Sequence, residues 1–598
     1  MWNRVIQTYA MLSGDDRKRT GLTVLRTWFD LTGAYKAATE LRIQYPPLDY
    51  DEWIASFDVL NEIDLQRIAA HIGRFLRRPR FRVLVDADGC TDARVVATLD
   101  SLQGQCYREF DCTVLTASRT AADTGIDVRA VDTAGLPAWL PIFNAGLGAD
   151  WVMRLRAGDT LSPHALYWFA CVVQDQPEAT AIYSDDDALD SSGVRCAPRF
   201  KPDWSLAHLL ATNYPGDAVA VRGDLLAAVG GMDVQACRHG LYDKLLQVID
   251  YKQQNVIHLP APLLHRSSPA GALVDTVAWE LAAVRRCLVR RNLAAEVMPT
   301  LPGCRHVRYH LPASPPLVSI VVPTRDAVDI LRRCIDSVLA RTTYPRFEIL
   351  VIDNQSSDPQ ALAYLRAVAA HPAIRVLPFD RPFNFSAINN FAAQEARGEV
   401  LCLLNNDTEV ISPDWLEEMV GQLLQQGVGV VGAKLYYPDG RVQHAGDTVG
   451  PGGCANHLHA RIAHDDPGYC NRAVVAQGLL AVTAACLVTR RDLFLELGGL
   501  DARRLKVAFN DVDYCLRVSA AGHEVIWTPH AELYHHESVS RGKDNTPGKQ
   551  RRADREAYAM RRRWGQVMRN DPFYNPNLNY RRPDFTPGRT LRVTKPWL

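Results

Sequence analysis

Short apolar runs that end abruptly in polar residues recur along this chain, separated by stretches of helical spacing. From 318 onward the order is clear. "VSIVVPTRD" (318–326) is a continuous apolar run ending in proline and charge, and "AVDILRRCIDSVLART" has the spacing of an amphipathic helix. "FEILVIDNQSSD" (347–358) is a second buried strand, "RVLPF" a third, "SAINNFAAQEARG" a helix and "EVLCLLNND" a fourth strand. Buried strands alternating with helices predict a parallel, doubly wound α/β sheet. Ligands of such sheets sit at the carboxyl ends of the strands. The polar clusters at 323–326, 353–357 and 405–409 all fall there.

The first half repeats the order. "RFRVLVDADG" is followed by "ARVVATLDSLQGQ", "FDCTVLTAS", "DVRAVDT", "WLPIFNAGLGA" and "DWVMRLRAGDTLSP", again strand, helix, strand, strand, helix, strand. This predicts an internal duplication of one α/β unit, with a period far longer than that of solenoid repeats. The expected layout is a helical segment over 1–76, a first unit over 77–300, a proline-rich linker over 301–316, a second unit over 317–545, and a basic helix with an extended tail over 546–598.

Composition narrows the class. Of 598 residues, 47% are apolar and 22% charged, as in ordinary globular proteins. Lys plus Arg and Asp plus Glu each number 67, so no net field favours nucleic acid. The N-terminus lacks the basic-then-apolar pattern of a signal peptide. The most apolar segment, "AVVAQGLLAVTAACLVT" (473–489), is short and interrupted by Gln477 and Gly478, and reads as a buried strand and helix rather than a membrane span. The 14 cysteines form no CxxC pair, which signals reduced core thiols of a cytoplasmic protein.

Chemistry concentrates late in the chain. Asp407, at the end of an apolar strand, is a hard oxygen ligand suited to a divalent cation. Asn405 and Asn406 beside it offer neutral oxygens. In "VAFNDVDYCLRVSAAGHEVIWTPHAELYHHESVSRG" (507–542), Asn510, Asp511 and Asp513 open a helix. Asp511 there is either the helix cap or a general base facing a pocket. His535 and His536, between a strand and a polar loop, include a candidate metal ligand.

From about 317 to 545 these motifs together resemble the family 2 glycosyltransferases of GT-A fold: "VSIVVPTRD", "EILVIDNQSSD", "NFSAINN", "LLNNDTEV", "KLYYPDGRVQHAG", "GGLDARRLKVAFNDVDYCLR" and "YHHESVSRG". The sub-type is similar to bacterial enzymes of O-antigen and rhamnan-type polysaccharide assembly. The resemblance implies two tandem GT-A domains and an inverting transfer from a nucleotide-diphosphate sugar to a hydroxyl of a growing, lipid-linked glycan, with Mn2+ or Mg2+ as cofactor. It implies that Pro323, Thr324, Arg325, Asp353, Asn354, Ser356, Asn384, Ser386, Asn389, Asn405 and Asn406 line the nucleotide-sugar. Asp407 and His535 would hold the metal, with His536 as the alternative histidine. Asp511 would be the base, and Gln443, His444 and Asn510 would lie on the acceptor side. Ala484 stands where relatives often have glycine, which implies local repacking without lost chemistry.

The first half resembles the same fold with altered chemical positions. Where relatives carry an acidic run, this chain reads Leu155-Arg156-Ala157-Gly158-Asp159, and only a one-residue slip would give Asp159 the metal role. The base position falls on Leu241, and His265 remains. Arg156 could replace a metal by charge, but decay to a structural or acceptor-binding module is favoured. Asp185, Asp186 and Asp187 read as solvated loop acids. The expectation is that the second unit alone transfers sugar; the rivals are a bifunctional transferase and a non-catalytic nucleotide-sugar-binding scaffold. The basic stretch 549–568 is either a solvated face or a peripheral contact with anionic headgroups at the inner face of the cytoplasmic membrane.

Overall fold

The computed structural model describes residues 48–116, 128–252, 255–267, 273–536 and 546–598. The helix expected over the first 47 residues and the Glu-Ser-x-Ser-Arg loop after His536 lie outside them. The expected leading helix over 50–72 is two helices, Tyr50–Phe57 and Glu62–Ile72. They break because Asn61 and Asp64 form a reciprocal capping box that starts the second helix afresh.

The first unit is built on β1 (Phe81–Asp86), β2 (Phe110–Leu115), β3 (Val128–Val131), β4 (Trp151–Arg156), β5 (Thr160–Leu161), β6 (Ala181–Leu189), β7 (Arg195–Arg199), β8 (Val219–Arg222) and β9 (Val256–Ser267). β10 (Ala295–Pro299) and β11 (Arg305–Tyr309) form an antiparallel hairpin. The span read as a linker is therefore structured in part: Arg305 and Val307 are buried, and the Gly303 turn that interrupts periodicity is the hairpin's own. The second unit holds β12 (Val318–Thr324), β13 (Phe347–Asp353), β14 (Ile374–Pro378), β15 (Val400–Leu404), β16 (Thr408–Val410), β17 (Val428–Tyr436), β18 (Val442–His444), β19 (Asp447–Val449), β20 (Ala455–His457), β21 (Gln477–Leu479), β22 (Cys486–Arg490) and β23 (Glu524–His535). The apolar segment 473–489 is thus two strands, β21 and β22, with the helix Arg491–Glu496 following it. Among the described residues no helix is long and apolar enough to cross a membrane.

The two main sheets have one topology. Across the first the order is β3-β2-β1-β4-β8-β6-β9-β5, with β7 on β6; across the second it is β14-β13-β12-β15-β22-β17-β23-β16, with β18 on β17. Directions agree as well: β4–β8 and β15–β22 are antiparallel, whereas β6–β9 and β17–β23 are parallel. The described residues thus form two α/β sheets of the same strand order. Each central sheet is covered by helices; Leu331, Cys334, Ile335 and Val338 on the helix Val328–Arg341 are buried at the spacing of one face.

The tail joins the two units. Asn575 donates to both oxygens of Asp185 in β6, Asp571 accepts from Thr448 and the Val449 amide in β19, and Trp597 donates to Asp64. Asp185, Asp186 and Asp187 are fully buried, contrary to their reading as solvated acids. They lie on a strand rather than a loop, and cations surround them. Asp186 pairs with Arg199, Lys201 and Arg266, and Asp187 with Arg195 and His265.

Candidate active site

β15 ends at Leu404, and the chain turns through Asn405, Asn406 and Asp407 into β16. β16 runs antiparallel to the last residues of β23, with Thr408 opposite His535. This pairing fixes the metal-site candidates. Asp407 Oδ1 is buried and 3.2 Å from His535 Nε2. Gln443 Oε1 lies 2.7 Å from His535 Nδ1, so the ring proton sits on Nδ1 and Nε2 presents a lone pair. Two acceptors then face each other: Asp407 Oδ1 has no hydrogen-bond donor, and His535 Nε2 has only the long contact of Asn405 Nδ2 at 3.4 Å. A cation shared by the two atoms would satisfy both, so the donor set fits a divalent metal. Gln443 acts here as the partner that fixes the tautomer of a ligating histidine. His536 is directed elsewhere: its amide donates to the Asp407 carbonyl, and its Nε2 is 3.2 Å from Glu409.

The strand ends beside this centre form a polar cradle. Asn406 Nδ2 donates to Thr324 Oγ1 at 3.2 Å. Asp353 accepts from the Ser356 amide, and Ser356 Oγ from the Asp326 amide. Asp326, Ala327 and Gln355 hold left-handed backbone (φ 53°, 39° and 61°), a strain that clusters at binding loops. Asn354 is buried and its Oδ1 is unpartnered, while its Nδ2 ties this loop to the Phe379 and Arg381 carbonyls. Pro323 is half-buried and Arg325 is exposed at the rim. Asn384, Ser386 and Asn389 are largely committed inside the chain. Asn384 caps the helix Phe385–Glu395 and donates to Ala502; Ser386 donates to Leu505; Asn389 donates to Phe385, leaving its Oδ1 unpartnered.

Asp511 stands in the first turn of the helix Asn510–Ala520, whose cap is Phe509 in left-handed conformation (φ 59°). Asp511 is thus not the cap. Its Oδ2 accepts from the Ala484 amide at 3.0 Å and its Oδ1 from Val512 at 2.9 Å. Burial, with the charge of nearby Asp447, outweighs these donors and raises its pKa above the ordinary carboxylate value, the direction that strengthens a base. Asn510 is buried and donates to the Val507 carbonyl. Ala484 serves the site through its amide.

A second cluster borders Asp511. His444 on β18, Asp447 on β19 and His457 at the end of β20 converge: the two Nδ1 atoms are 3.0 Å apart, and Asp447 Oδ1 is 2.6 Å from His457 Nδ1 and 3.5 Å from His444 Nδ1. Asp447 and His457 are not apparent as site residues in the sequence; the only signal is the run "QHAGD" with a histidine thirteen positions after His444.

The equivalent place in the first unit is filled differently. Thr160 pairs with His265 as Thr408 pairs with His535. Asp159, the residue before Thr160, therefore takes the Asp407 position. The slip is a single extra residue, accommodated by Gly158 at φ 102°. Asp159 Oδ1 accepts from the amide and hydroxyl of Ser267, and His265 is held between Asp187 and Ser162. Burial, with the charge of Asp217, pushes the Asp159 carboxyl up to about 6. Leu241 caps the helix Tyr242–Tyr251, and Asp243 is paired with Arg286.

Residues 319–494 match the family described as Glycosyl transferase family 2, and the second unit carries that domain. The chain is 38% identical over 553 residues to an uncharacterized protein, y4gI, of Sinorhizobium fredii, covering 87% of this chain and 60% of that protein. It is 36% identical over 557 residues to the O-antigen biosynthesis protein RfbC of Myxococcus xanthus, covering 89% of this chain and 42% of that one. The chain thus spans about half the length of these relatives. Over 249 residues it is 27% identical to the N-acetylglucosaminyl-diphospho-decaprenol L-rhamnosyltransferase of Mycobacterium tuberculosis, covering 38% of this chain and 78% of that enzyme.

Proposed function

We propose that the second unit is an inverting glycosyltransferase that moves a sugar from a nucleotide diphosphate to a hydroxyl of a growing surface glycan. The observation that carries this reading is the facing of Asp407 Oδ1 and His535 Nε2 at 3.2 Å, just past the carboxyl end of β15 in the parallel part of the sheet. A divalent cation held there by Asp407 and His535 would neutralise the departing diphosphate. The chain's own residues do the rest. Gln443 fixes the His535 tautomer, and the loops at Pro323, Thr324, Arg325, Asp353, Asn354 and Ser356 cradle the nucleotide, with Asn384, Ser386 and Asn389 shaping its wall. Asn405 and Asn406 orient the turn that carries Asp407. Asp511 takes the proton of the acceptor hydroxyl as that oxygen attacks the anomeric carbon from the face opposite the diphosphate. One carboxylate suffices for a single displacement.

The first unit is then a non-transferring copy, a reading supported by the commitment of Asp159 to Ser267 and of His265 to Asp187. The names of two relatives support an O-antigen or rhamnan-type glycan and a polyprenol-linked acceptor. The helix Pro547–Trp564 would bring the enzyme to anionic headgroups at the inner face of the cytoplasmic membrane. The test is a panel of nucleotide sugars with Mn2+ or Mg2+ and a polyprenol-diphosphate acceptor, scored for nucleoside diphosphate release. Metal-dependent release absent in Asp407→Ala supports the reading. No release from any donor points to a scaffold.

A further inference from the structure

We propose that His444, Asp447 and His457 form a second cation site, distinct from the Asp407–His535 centre, that takes a borderline divalent transition ion such as Zn2+, Co2+ or Mn2+. Three observations carry it. The two imidazole Nδ1 atoms and Asp447 Oδ1 form a triangle with sides of 2.6, 3.0 and 3.5 Å. Ligands placed about 2.0–2.2 Å from one ion lie roughly 3–3.5 Å apart, so this spacing needs little rearrangement to accept a shared ion. The donor set is two imidazoles and one carboxylate, which suits Zn2+-type ions better than Mg2+ or Ca2+, whose preference is for oxygen alone.

Hydrogen bonding alone serves the cluster poorly. One proton between Asp447 and His457 satisfies that pair. The His444 ring then shares its Nδ1 with another Nδ1 at 3.0 Å. A cation uses both Nδ1 lone pairs and the carboxylate at once. The site is also accessible, because His444 and Asp447 are buried whereas the His457 side chain is 41% exposed and forms the open edge.

The ligands come from β18, β19 and β20, three short strands that an ion would clamp together. Two backbone links lead from there to the base. The Asp447 amide donates to the Ala481 carbonyl at 3.0 Å, and three residues on, the Ala484 amide donates to Asp511. The bound ion therefore acts as a positioning element for the wall that holds Asp511. It supplies no step of the transfer.

The inference is independent of the activity assigned above and is tested by counting metal. The full chain is stripped by chelator dialysis, titrated with CoCl2, desalted and measured by elemental analysis, with the visible Co2+ spectrum recorded in parallel. His457→Ala and His457→Gln lie at an exposed edge and should keep the fold, checked by circular dichroism. Two equivalents in the wild type, falling to one in either variant with loss of a Co2+ band, support the site. One equivalent in the wild type that is lost in His457→Ala and kept in Asp407→Ala supports it equally and counts against the Asp407 centre. Wild-type stoichiometry and spectrum in both His457 variants would overturn it.

Discussion

Asp159 and Asp407 occupy the same place in two sheets of one topology: each precedes a threonine that pairs across to the histidine near the end of the long last strand, Thr160 with His265 and Thr408 with His535. What differs is what the carboxylate meets. Asp407 Oδ1 faces an imidazole nitrogen and has no hydrogen-bond donor, whereas Asp159 Oδ1 is taken by Ser267. Asp159→Ala is therefore expected to leave transfer at the wild-type rate, and Asp407→Ala to remove it. Initial rates of nucleoside diphosphate release at saturating Mn2+ check both.

Gln443 touches no substrate in this account, yet it decides which nitrogen of His535 is free. Gln443→Leu removes the partner of Nδ1, and loss of such a partner weakens metal affinity by about 10- to 100-fold. The expected signature is a raised Mn2+ requirement with a rate at saturating metal near that of the wild type. An unchanged Mn2+ dependence would show that His535 is not a ligand.

The raised pKa of Asp511 has consequences of definite sign. As a base it must be ionised, so the rate should fall on the acid side at a pH above the ordinary carboxylate value of 3.8. Its folded pKa also exceeds its unfolded one. Its favourable contribution is complete below the unfolded value and is lost as pH rises through the folded value. Asp511→Asn, which cannot ionise, should melt higher relative to the wild type at pH 7 than at pH 4. A difference in melting temperature that does not change with pH would contradict the assignment of a buried, raised carboxyl.

Asp186 holds three cations with its side chain fully buried. Removing one partner of a buried ion pair typically costs about 3–5 kcal/mol, because the charge left behind is unpaired. Asp186→Ala should lower the melting temperature of the first unit by several degrees without changing the Mn2+ requirement of the second. Calorimetry together with the release assay separates the two effects.

Much of this was legible in the sequence, for physical reasons that can be named. Apolar runs such as 318–322 and 400–404 are buried on both faces, so their hydrophobicity marks them without knowledge of partners, and the duplication followed from their order. Asp407, Asp511 and His535 stand out as candidates because each follows or opens a regular element. Other features depend on partners distant in sequence. Asp187 reads as a solvated acid until Arg195 and His265 are brought to it, and Asp447 carries no signal of its own until β19 pairs with β20 near His444. The position of Asp159 could not be decided from a run of letters, since one left-handed glycine shifts it; the pairing of Thr160 decides it.

The most direct test of the central claim, that the second unit alone transfers sugar with Asp511 as base, is nucleoside diphosphate release by the Asp511→Asn chain across the donors the wild type uses. The account predicts a fall of about 100- to 10,000-fold for every such donor, with Mn2+ binding retained. Wild-type release from any one of them, abolished by Asp159→Ala, would contradict it.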